Sequence, residues 1–322
     1  MKHQKHYRKL LFLLVMLSAA TFGMAQQAVT VKDSITHEAI PFVSVYFGNE
    51  SGGYTDEQGS IVIPNGAKQI RLSHICYETK SVTTAAVAAQ TIFLVPKSIN
   101  LGEVAVVAKS PKRIKVAEVG LTKAKTQTKH KGANGFEMAL FIPYDSTWTE
   151  TPYIHSILAS LDYSTHYLVF TEIKNPIYAT LRFDLRLPDA KTNAPKDESI
   201  IGGGIILPSS QKLGKDGISL INPIPFPRTG VFVVVEWITT VQVSESCNLI
   251  PSLNMSLDEK ENRTWNKKTF FAKQSGKAER QGIDWMQEQN EPTYQNEEAQ
   301  FFYKGRTPSA KLGLKISHKK SH

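Results

Sequence analysis

The sequence predicts a mainly β protein with two β-sandwich domains, and three observations lead to this fold class. Short runs rich in β-branched residues recur along the 322 residues and are separated by clusters of Gly, Asn, Asp and Pro, which favour tight turns. The runs have the spacing of sandwich strands, and no segment of helix length with helical periodicity interrupts the first of them. The length suits about two domains, because single hydrophobic cores stop growing before about 300 residues.

The first 25 residues are predicted to form a cleaved signal peptide. Four basic residues and no acid precede the apolar run 10–17, and a Gly-Met-Ala sequence fits peptidase cleavage before Gln26. The run is too short to span a bilayer comfortably, although an uncleaved anchor is the alternative, and no later stretch approaches the roughly 20 apolar residues of a spanning helix. We therefore expect an exported protein of the periplasm or outer membrane, with no transmembrane segment in the mature chain.

The first domain is expected over residues 26–108, where five strand patterns are visible. In residues 42–47 apolar side chains alternate with a mixed row, which indicates a half-buried strand. Turn-forming residues lie between the patterns, as in a sandwich of short strands. The predicted strands are 29–31, 42–47, 60–63, 69–73 and 91–95.

Several blocks of this domain resemble the carboxypeptidase regulatory-like domain of exported Bacteroidetes-type proteins. They are a strand-turn-strand block at 31–45, a block at 53–59 that contains a Thr-Asp-x-x-Gly hairpin, a block at 70–79 and a closing segment at 101–108. The resemblance covers residues 28–108 and implies a seven-stranded sandwich of prealbumin or immunoglobulin type. It also implies a hairpin in which an Asp caps the turn and a Gly has φ > 0. The structural turn positions it assigns are Pro41, Thr55, Asp56, Gly59 and Tyr77.

Residues 109–133 are predicted to be a basic linker between the domains. Residues 109–131 contain eight Lys or Arg and one acid, and residues 304–322 contain six basic residues and no acid. The rest of the mature chain is mildly acidic, although the whole sequence has a net charge of +9. Such charged segments are usually solvated, and an anionic envelope surface is the alternative partner. Nucleic acid is not an expected partner, and the linker favours domains that move independently.

The second domain is expected over residues 134–322, as a β-rich domain with a polar, partly irregular tail. Residues 178–187 alternate apolar and polar side chains, and residues 231–238 are apolar on both faces up to Glu236, which indicates a central strand. A last strand is expected at 311–316. The domain resembles a jelly-roll-like β-sandwich found downstream of the regulatory-like domain in other Bacteroidetes proteins, which implies a fold and no activity.

The sequence lacks a zinc carboxypeptidase site. Such a site needs a His-x-x-Glu pair, a distant His and a further Glu, whereas His37 directly precedes Glu38 and His74 lies four residues before Glu78. A Gly-x-Ser-x-Gly motif and a Gly-Lys-Ser phosphate loop are also absent, so the glycines at 202–204 are expected in a bulge or a close strand approach. We therefore predict no cofactor, no metal and no catalytic residue.

Two weaker metal constellations are present. His155, Asp162, His166 and Glu172 surround two predicted strands and could meet on one face, although no specific spacing supports a site. Histidines 318 and 322 stand among lysines in what we expect to be a disordered terminus. Neither constellation predicts a defined metal centre.

The two cysteines, Cys76 and Cys247, lie in different predicted domains. In an oxidising periplasm they could form a disulfide, but two separately buried thiols are the preferred interpretation. The regulatory-like family usually has glycine at the position of Cys76, so the backbone there is not expected to need a conformation that only glycine adopts.

Glu236 is the most suggestive acid, because a carboxylate at the end of an apolar strand beside a Trp could serve a glycosidase. A second carboxylate would be required, with Asp184, Asp189 and Glu172 as candidates. The simpler interpretation is an opposite-charge pair across neighbouring strands, with Arg182 or Arg186 as the partner.

The sequence as a whole favours a non-catalytic adaptor or binding module of the cell envelope, with an envelope protein or glycan as its partner. Aromatic residues could stack on sugars, although core packing suits each of them as well: Trp148, Tyr153, Trp265 and Trp285. One alternative is an envelope glycan or peptide hydrolase that uses Glu236 and a second acid. Another is a structural or signalling partner that pairs through an exposed strand edge.

Overall fold

The computed structural model describes residues 27–48, 51–84, 91–97, 114–132, 135–163, 177–238, 248–257, 263–268, 285–287 and 307–319. The regular elements of these residues are all strands, which confirms the predicted mainly β fold class. Within them, we find no helix with the length and apolarity that a membrane crossing requires. The predicted signal peptide and the closing segment at 101–108 lie outside the described residues.

The N-terminal domain is a sandwich of two sheets. Its described strands are Gln27–Asp33 (β1), Ser44–Gly48 (β2), Ser51–Tyr54 (β3), Ser60–Ile63 (β4), Gln69–His74 (β5), Tyr77–Thr83 (β6) and Thr91–Leu94 (β7). The sheets have the orders β4-β1-β7 and β3-β2-β5-β6. Apolar side chains from both sheets meet in one core: Val29, Val31, Val43, Val45, Ile61, Ile63, Ile70, Leu72, Ile92 and Leu94.

The turn between β3 and β4 is fixed by Asp56 and Gly59. The two strands belong to different sheets, so the segment is a turn that connects the sheets and not the expected hairpin. The Asp56 carboxylate accepts hydrogen bonds from the amides of Gln58 at 3.0 Å and Ser60 at 2.8 Å. Gly59 has a φ of 71°, and a Cβ at this position would lie 2.8 Å from the carbonyl oxygen of Val31. The turn therefore needs glycine for both its conformation and its close approach to β1.

Thr55 and Tyr77 make hydrogen bonds near this turn, and Pro41 lies at the turn into β2. The buried Thr55 hydroxyl donates to the carbonyl of Ile40 at 2.9 Å and accepts from the amide of Val43 at 2.8 Å. The Tyr77 hydroxyl donates to the carboxylate of Asp33 at 2.8 Å. Pro41 precedes a left-handed residue at position 42, where the chain turns toward β2.

The C-terminal domain is built from three larger sheets and one short strand pair. Its described strands are Ile114–Gly120 (β8), Thr128–Lys131 (β9), Phe136–Ile142 (β10), Tyr153–Ala159 (β11), Leu161–Asp162 (β12), Ile177–Tyr178 (β13), Thr180–Pro188 (β14), Pro195–Ser199 (β15), Ile205–Leu207 (β16), Ile218–Pro225 (β17), Val231–Ile238 (β18), Asn248–Leu249 (β19), Ser252–Ser256 (β20), Thr264–Lys268 (β21), Met286–Gln287 (β22), Ser309–Ala310 (β23) and Leu312–Lys319 (β24).

The large sheet has the order β15-β14-β18-β10-β21-β22, and β16 also pairs with β14. The opposite sheet has the order β17-β11-β24-β8, a third sheet contains β12-β20-β23 with β9 on β20, and β13 pairs with β19. The main core lies on the inner face of the large sheet and includes Met138, Leu140, Phe183, Leu185, Val233, Val235, Trp237, Ile154, Leu314 and Ile316. This arrangement confirms a sandwich in which β18 is the predicted central strand, buried on both faces.

The predicted basic linker is wrong for its described part. Residues 114–120 form β8 on the edge of the opposite sheet, and residues 128–131 form β9. Ala117, Val119 and Leu121 pack on the main core with a period of two, and the many Lys and Thr residues around them conceal this pattern in the sequence. The C-terminal domain therefore includes strands well before residue 134.

The predicted final strand at 311–316 is confirmed as the longer strand β24. It lies between β11 and β8 in the opposite sheet, so the chain belongs to the fold up to residue 319. The side chain of Lys311, just before it, donates to the Thr126 hydroxyl at 2.7 Å. His318 belongs to β24, which corrects the expectation of a disordered terminus there, and position 322 lies outside the described residues.

Candidate functional site

The polar row of β14 is buried instead of facing water. Arg182, Asp184 and Arg186 alternate with the core residues of the strand, yet each has at most 6% of its surface exposed. In the register of the large sheet Arg182 lies opposite Glu236 on β18, and Glu236 lies opposite Glu137 on β10. Charged side chains from three adjacent strands therefore share one face, which we call the polar cluster.

Each arginine of the polar cluster is paired with carboxylates. The Arg182 guanidinium contacts Oε2 of Glu236 at 3.0 Å, which confirms the predicted cross-strand pair. Arg186 contacts Glu137 at 3.0 Å and Asp184 at 2.8 Å. Asp184 also accepts a 2.5 Å hydrogen bond from the hydroxyl of Ser199. Buried charges are tolerated when they are paired in this way.

The N-terminal domain covers this cluster. The hydroxyl of Tyr54 donates a 2.5 Å hydrogen bond to Oε1 of Glu236, and the Arg182 guanidinium donates to the carbonyl of Phe42 at 2.8 Å. Around these bonds the side chains of Phe42, Tyr54 and Ile238 form a small apolar cluster against Ile206. The two domains are packed together, so the expectation of independent movement is wrong.

The triple glycine forms a second contact between the domains. Gly202, Gly203 and Gly204 have φ values of 75°, 117° and 77°. The Cys76 thiol donates to the carbonyl of Gly202 at 3.1 Å, and a Cβ on Gly203 would lie 2.4 Å from the Cys76 sulfur. The predicted close approach is therefore present, and it is made to the other domain.

Burial dominates the electrostatics of the polar cluster. It raises the pKa of Glu236, an effect that Arg182 opposes and Glu137 reinforces. The pKa of the Tyr54 hydroxyl is also raised well above its usual value, by burial and by the charge of Glu236. Burial disfavours the charge on Arg186, but the carboxylates of Glu137 and Asp184 outweigh it and raise the pKa of that guanidinium.

His74 and Cys76 lie beside the cluster and are held in their neutral forms. Burial, together with the nearby charges of Arg182 and Lys97, lowers the pKa of His74 to about 3. Burial raises the pKa of the Cys76 thiol, with a contribution from Asp184. Cys76 is a free, half-buried thiol, and Cys247 lies outside the described residues.

The three acids proposed as partners of Glu236 lie in different parts of the chain. Asp184 belongs to the polar cluster, Asp189 accepts backbone hydrogen bonds in an exposed turn, and Glu172 lies outside the described residues. The acid next to Glu236 is Glu137, which sequence reasoning missed. Its signal is the single acid in the apolar run of β10, a strand that pairs with β18.

The metal-ligand candidates are engaged elsewhere or not described. The His155 ring is hydrogen-bonded to Ser317 at 2.6 Å, and Asp162 forms an ion pair with Lys129. His166 and Glu172 lie outside the described residues. In the part of the chain that the structure describes, no three His, Cys, Asp or Glu side chains are grouped so that they could hold a metal ion.

Three of the four candidate sugar-stacking aromatics pack against other side chains. Trp148 lies edge-on against Phe226, Trp265 lies edge-on against Phe232, and the Trp285 ring faces Arg186. Tyr153 is 38% exposed. This leaves Tyr153 as the aromatic of that set with a substantial free surface.

Tyr153 lies on the outer face of the opposite sheet. Ile154 and Ile316 are core residues, so their strand neighbours Tyr153 and Ser317, which are paired in register, point away from the core. The His155–Ser317 hydrogen bond lies beside them, and Val116, 61% exposed, is opposite Ser317 on β8. We call Tyr153, His155, Ser317 and Val116 the outer face.

In comparisons with known proteins, no family model, no curated protein and no solved structure matches the chain.

Proposed function

We propose that the chain is an exported cell-envelope protein that acts as a non-catalytic adaptor or binding module. In this proposal a carboxypeptidase regulatory-like sandwich at the N terminus is a fixed companion of the larger C-terminal sandwich. The observation that carries it is the state of Glu236. One carboxylate oxygen accepts from Tyr54, the other pairs with Arg182, and 4% of the residue is exposed.

A glycosidase acid must reach the glycosidic oxygen or the anomeric carbon of its substrate. Glu236 and Glu137 do form a carboxylate pair on adjacent strands, but an arginine contacts each of them and the N-terminal domain covers them. The arrangement supports a role for these acids in holding the domains together. Among the described residues both carboxylates are enclosed by these contacts, which supports the binding role over the hydrolase alternative.

The outer face is the surface that best supports a binding role. It combines an accessible tyrosine ring with the His155–Ser317 polar pair and an apolar neighbour on β8. Aromatic rings stack on the apolar faces of sugars, and the half-buried imidazole of His155 can bond a sugar hydroxyl. The Ser317 hydroxyl is itself buried and holds the imidazole in place. We therefore propose an envelope glycan as the ligand class.

Titration calorimetry of the mature chain with peptidoglycan fragments and lipopolysaccharide oligosaccharides tests this function. We expect binding that Tyr153→Ala weakens about tenfold or more, because the stacking ring is lost, and that Tyr153→Phe largely retains. The same mixtures are analysed for cleaved products. Glycan cleavage by the wild type that Glu236→Gln abolishes would favour the hydrolase, and an absence of binding to every glycan would refute the ligand class.

A further inference from the structure

The edges of the C-terminal sheets are protected to different degrees. On one edge of the opposite sheet, β17 carries Pro223 and Pro225, and its pairing with β11 jumps from Ser219 to Ile224. Residues 220–223 leave the ladder there. Prolines and irregular pairing of this kind prevent a further strand from adding to an edge.

The other edge, β8, has none of these irregularities. It pairs with β24 over seven consecutive residues without a register shift, and it contains no proline. Among the described residues its ladder partner is β24 alone. The edge carries the charged residues Lys115 and Glu118, but it has no proline and no bulge. A regular edge of this length is a template for an added strand.

The hydrogen-bond pattern identifies the residues that point outward from this edge. The amide of Leu121 donates to the carbonyl of Leu312, which makes their register pair a hydrogen-bonded one. In an antiparallel ladder such pairs alternate, so residues 115, 117 and 119 bond to β24. The amides and carbonyls of Ile114, Val116, Glu118 and Gly120 are therefore directed away from β24.

We propose that β8 pairs antiparallel with β8 of a second copy of this chain. The two opposite sheets then join into one continuous eight-stranded sheet. A two-fold axis through Ala117 matches the outward residues, because Val116 of one copy meets Glu118 of the partner subunit and Ile114 meets Gly120 of the partner subunit. All seven residues are paired in this register.

The charges on β8 select this register over its neighbours. An axis at Glu118 would place two carboxylates directly opposite each other, which is unfavourable in a ladder. An axis at Val116 would place Val119 and Gly120 opposite residues 113 and 112, which precede β8, so fewer residues of the strand would be paired. With the axis at Ala117, Glu118 faces the apolar Val116 of the partner subunit and contacts its own Lys123 at 3.3 Å. The small side chain of Ala117 lies on the axis.

This inference rests on the backbone edge of β8 and not on glycan binding. Val116 belongs to the outer face as well, so the experiment measures mass and not glycan affinity. Light scattering coupled to size exclusion, across a range of concentrations, measures the mass of the mature chain. The decisive variant is Val116→Pro, because it removes an outward amide and no bond to β24. Val116→Thr is the matched control, which changes the side chain and keeps the amide.

We expect the wild type and Val116→Thr to have twice the monomer mass. Val116→Pro should raise the dimer dissociation constant about tenfold or more, because the symmetric pair loses the same hydrogen bond twice. Circular dichroism verifies that the variant is folded. If Val116→Pro does not fold, Glu118→Pro replaces it. Hydrogen exchange of the wild-type amides at 116 and 118 is then measured as well, and we expect slower exchange at high protein concentration. A wild type that is monomeric at all concentrations, or a folded Val116→Pro that dimerises normally, overturns the proposal.

Discussion

The hydroxyl of Tyr54 and the carboxylate of Glu236 form a buried hydrogen bond of 2.5 Å between residues 182 positions apart in the sequence. Tyr54 ends a strand of the N-terminal sandwich, and Glu236 lies in the central strand of the large sheet. Neither group has this partner until both domains are folded and docked. The bond therefore couples the stability of one domain to the presence of the other.

Replacement of Tyr54 by Phe should lower the free energy of unfolding by about 1 to 3 kcal/mol, because a buried carboxylate oxygen loses its donor. Denaturant titration measures the change. Tyr153→Phe is the control, since it removes a hydroxyl from an exposed ring and should change stability by less than about 0.5 kcal/mol. Equal stability of Tyr54→Phe and wild type would show that the interdomain bond contributes nothing.

Much of the polar cluster could be predicted from the sequence, but its burial could not. The alternation along β14 places Arg182 on the face opposite the core, and the apolar β18 places Glu236 within reach of it. Polar residues in such a pattern ordinarily face water, and nothing local reveals that a second domain covers them. Tyr54 and the glycines at 202–204 acquire their roles only through contacts distant in sequence.

The same limit explains why β8 was missed. Its inward residues, Ala117 and Val119, are small and few, and lysines flank them, so composition favours a linker. Pairing with β24, almost 200 residues later, is what makes the segment a strand. A strand that depends on pairing with a distant segment is difficult to predict from its own neighbouring residues.

Removal of Arg182 should be among the most damaging single changes. Arg182→Met leaves Glu236 and the Phe42 carbonyl without their guanidinium donors, and a broken buried pair costs about 3 to 5 kcal/mol. The double variant Arg182→Met, Glu236→Leu removes both charges and should recover part of this loss. Chemical unfolding of both variants measures the difference. Lys129→Met, which breaks the more exposed pair with Asp162, serves as the control and should cost less than about 1 kcal/mol.

A double variant no more stable than Arg182→Met would contradict this account. It would mean that the loss comes from altered packing of the arginine stem and not from an unpaired carboxylate. The comparison therefore separates the charge of Arg182 from its volume.

His74 should make the protein less stable in acid. Its pKa is about 3 in the folded chain and 6.5 in the unfolded chain, so between these values the unfolded state holds the additional proton. The contribution of His74 is complete above pH 6.5 and is lost as the pH falls toward 3, with a slope of at most about 1.4 kcal/mol per pH unit. His74→Asn, which keeps an acceptor for the Cys76 amide, should flatten this part of the stability profile.

The profile of the variant is compared with that of the wild type, so contributions shared by both cancel. This matters because the raised pKa of Glu236 acts in the opposite sense, as its stabilisation is lost when the pH rises above 4.5. His37→Asn is the control, since His37 is exposed and Asn tolerates its φ of 61°. Parallel profiles for wild type and His74→Asn would contradict the assignment of a neutral His74.

Gly203 tests whether the triple-glycine contact holds the two domains together. Alanine there would place a Cβ 2.4 Å from the Cys76 sulfur at a φ of 117°, and backbone strain of this kind costs about 1 to 3 kcal/mol. Gly214→Ala is the matched control, because a Cβ at that position has nothing within 4 Å.

In a Cys247→Ser background, Gly203→Ala should also make Cys76 react faster with a thiol reagent in the folded protein, because the loop can no longer lie against the sulfur. A less stable variant with unchanged thiol reactivity would place the strain within the loop itself and would argue against a contact that closes over Cys76.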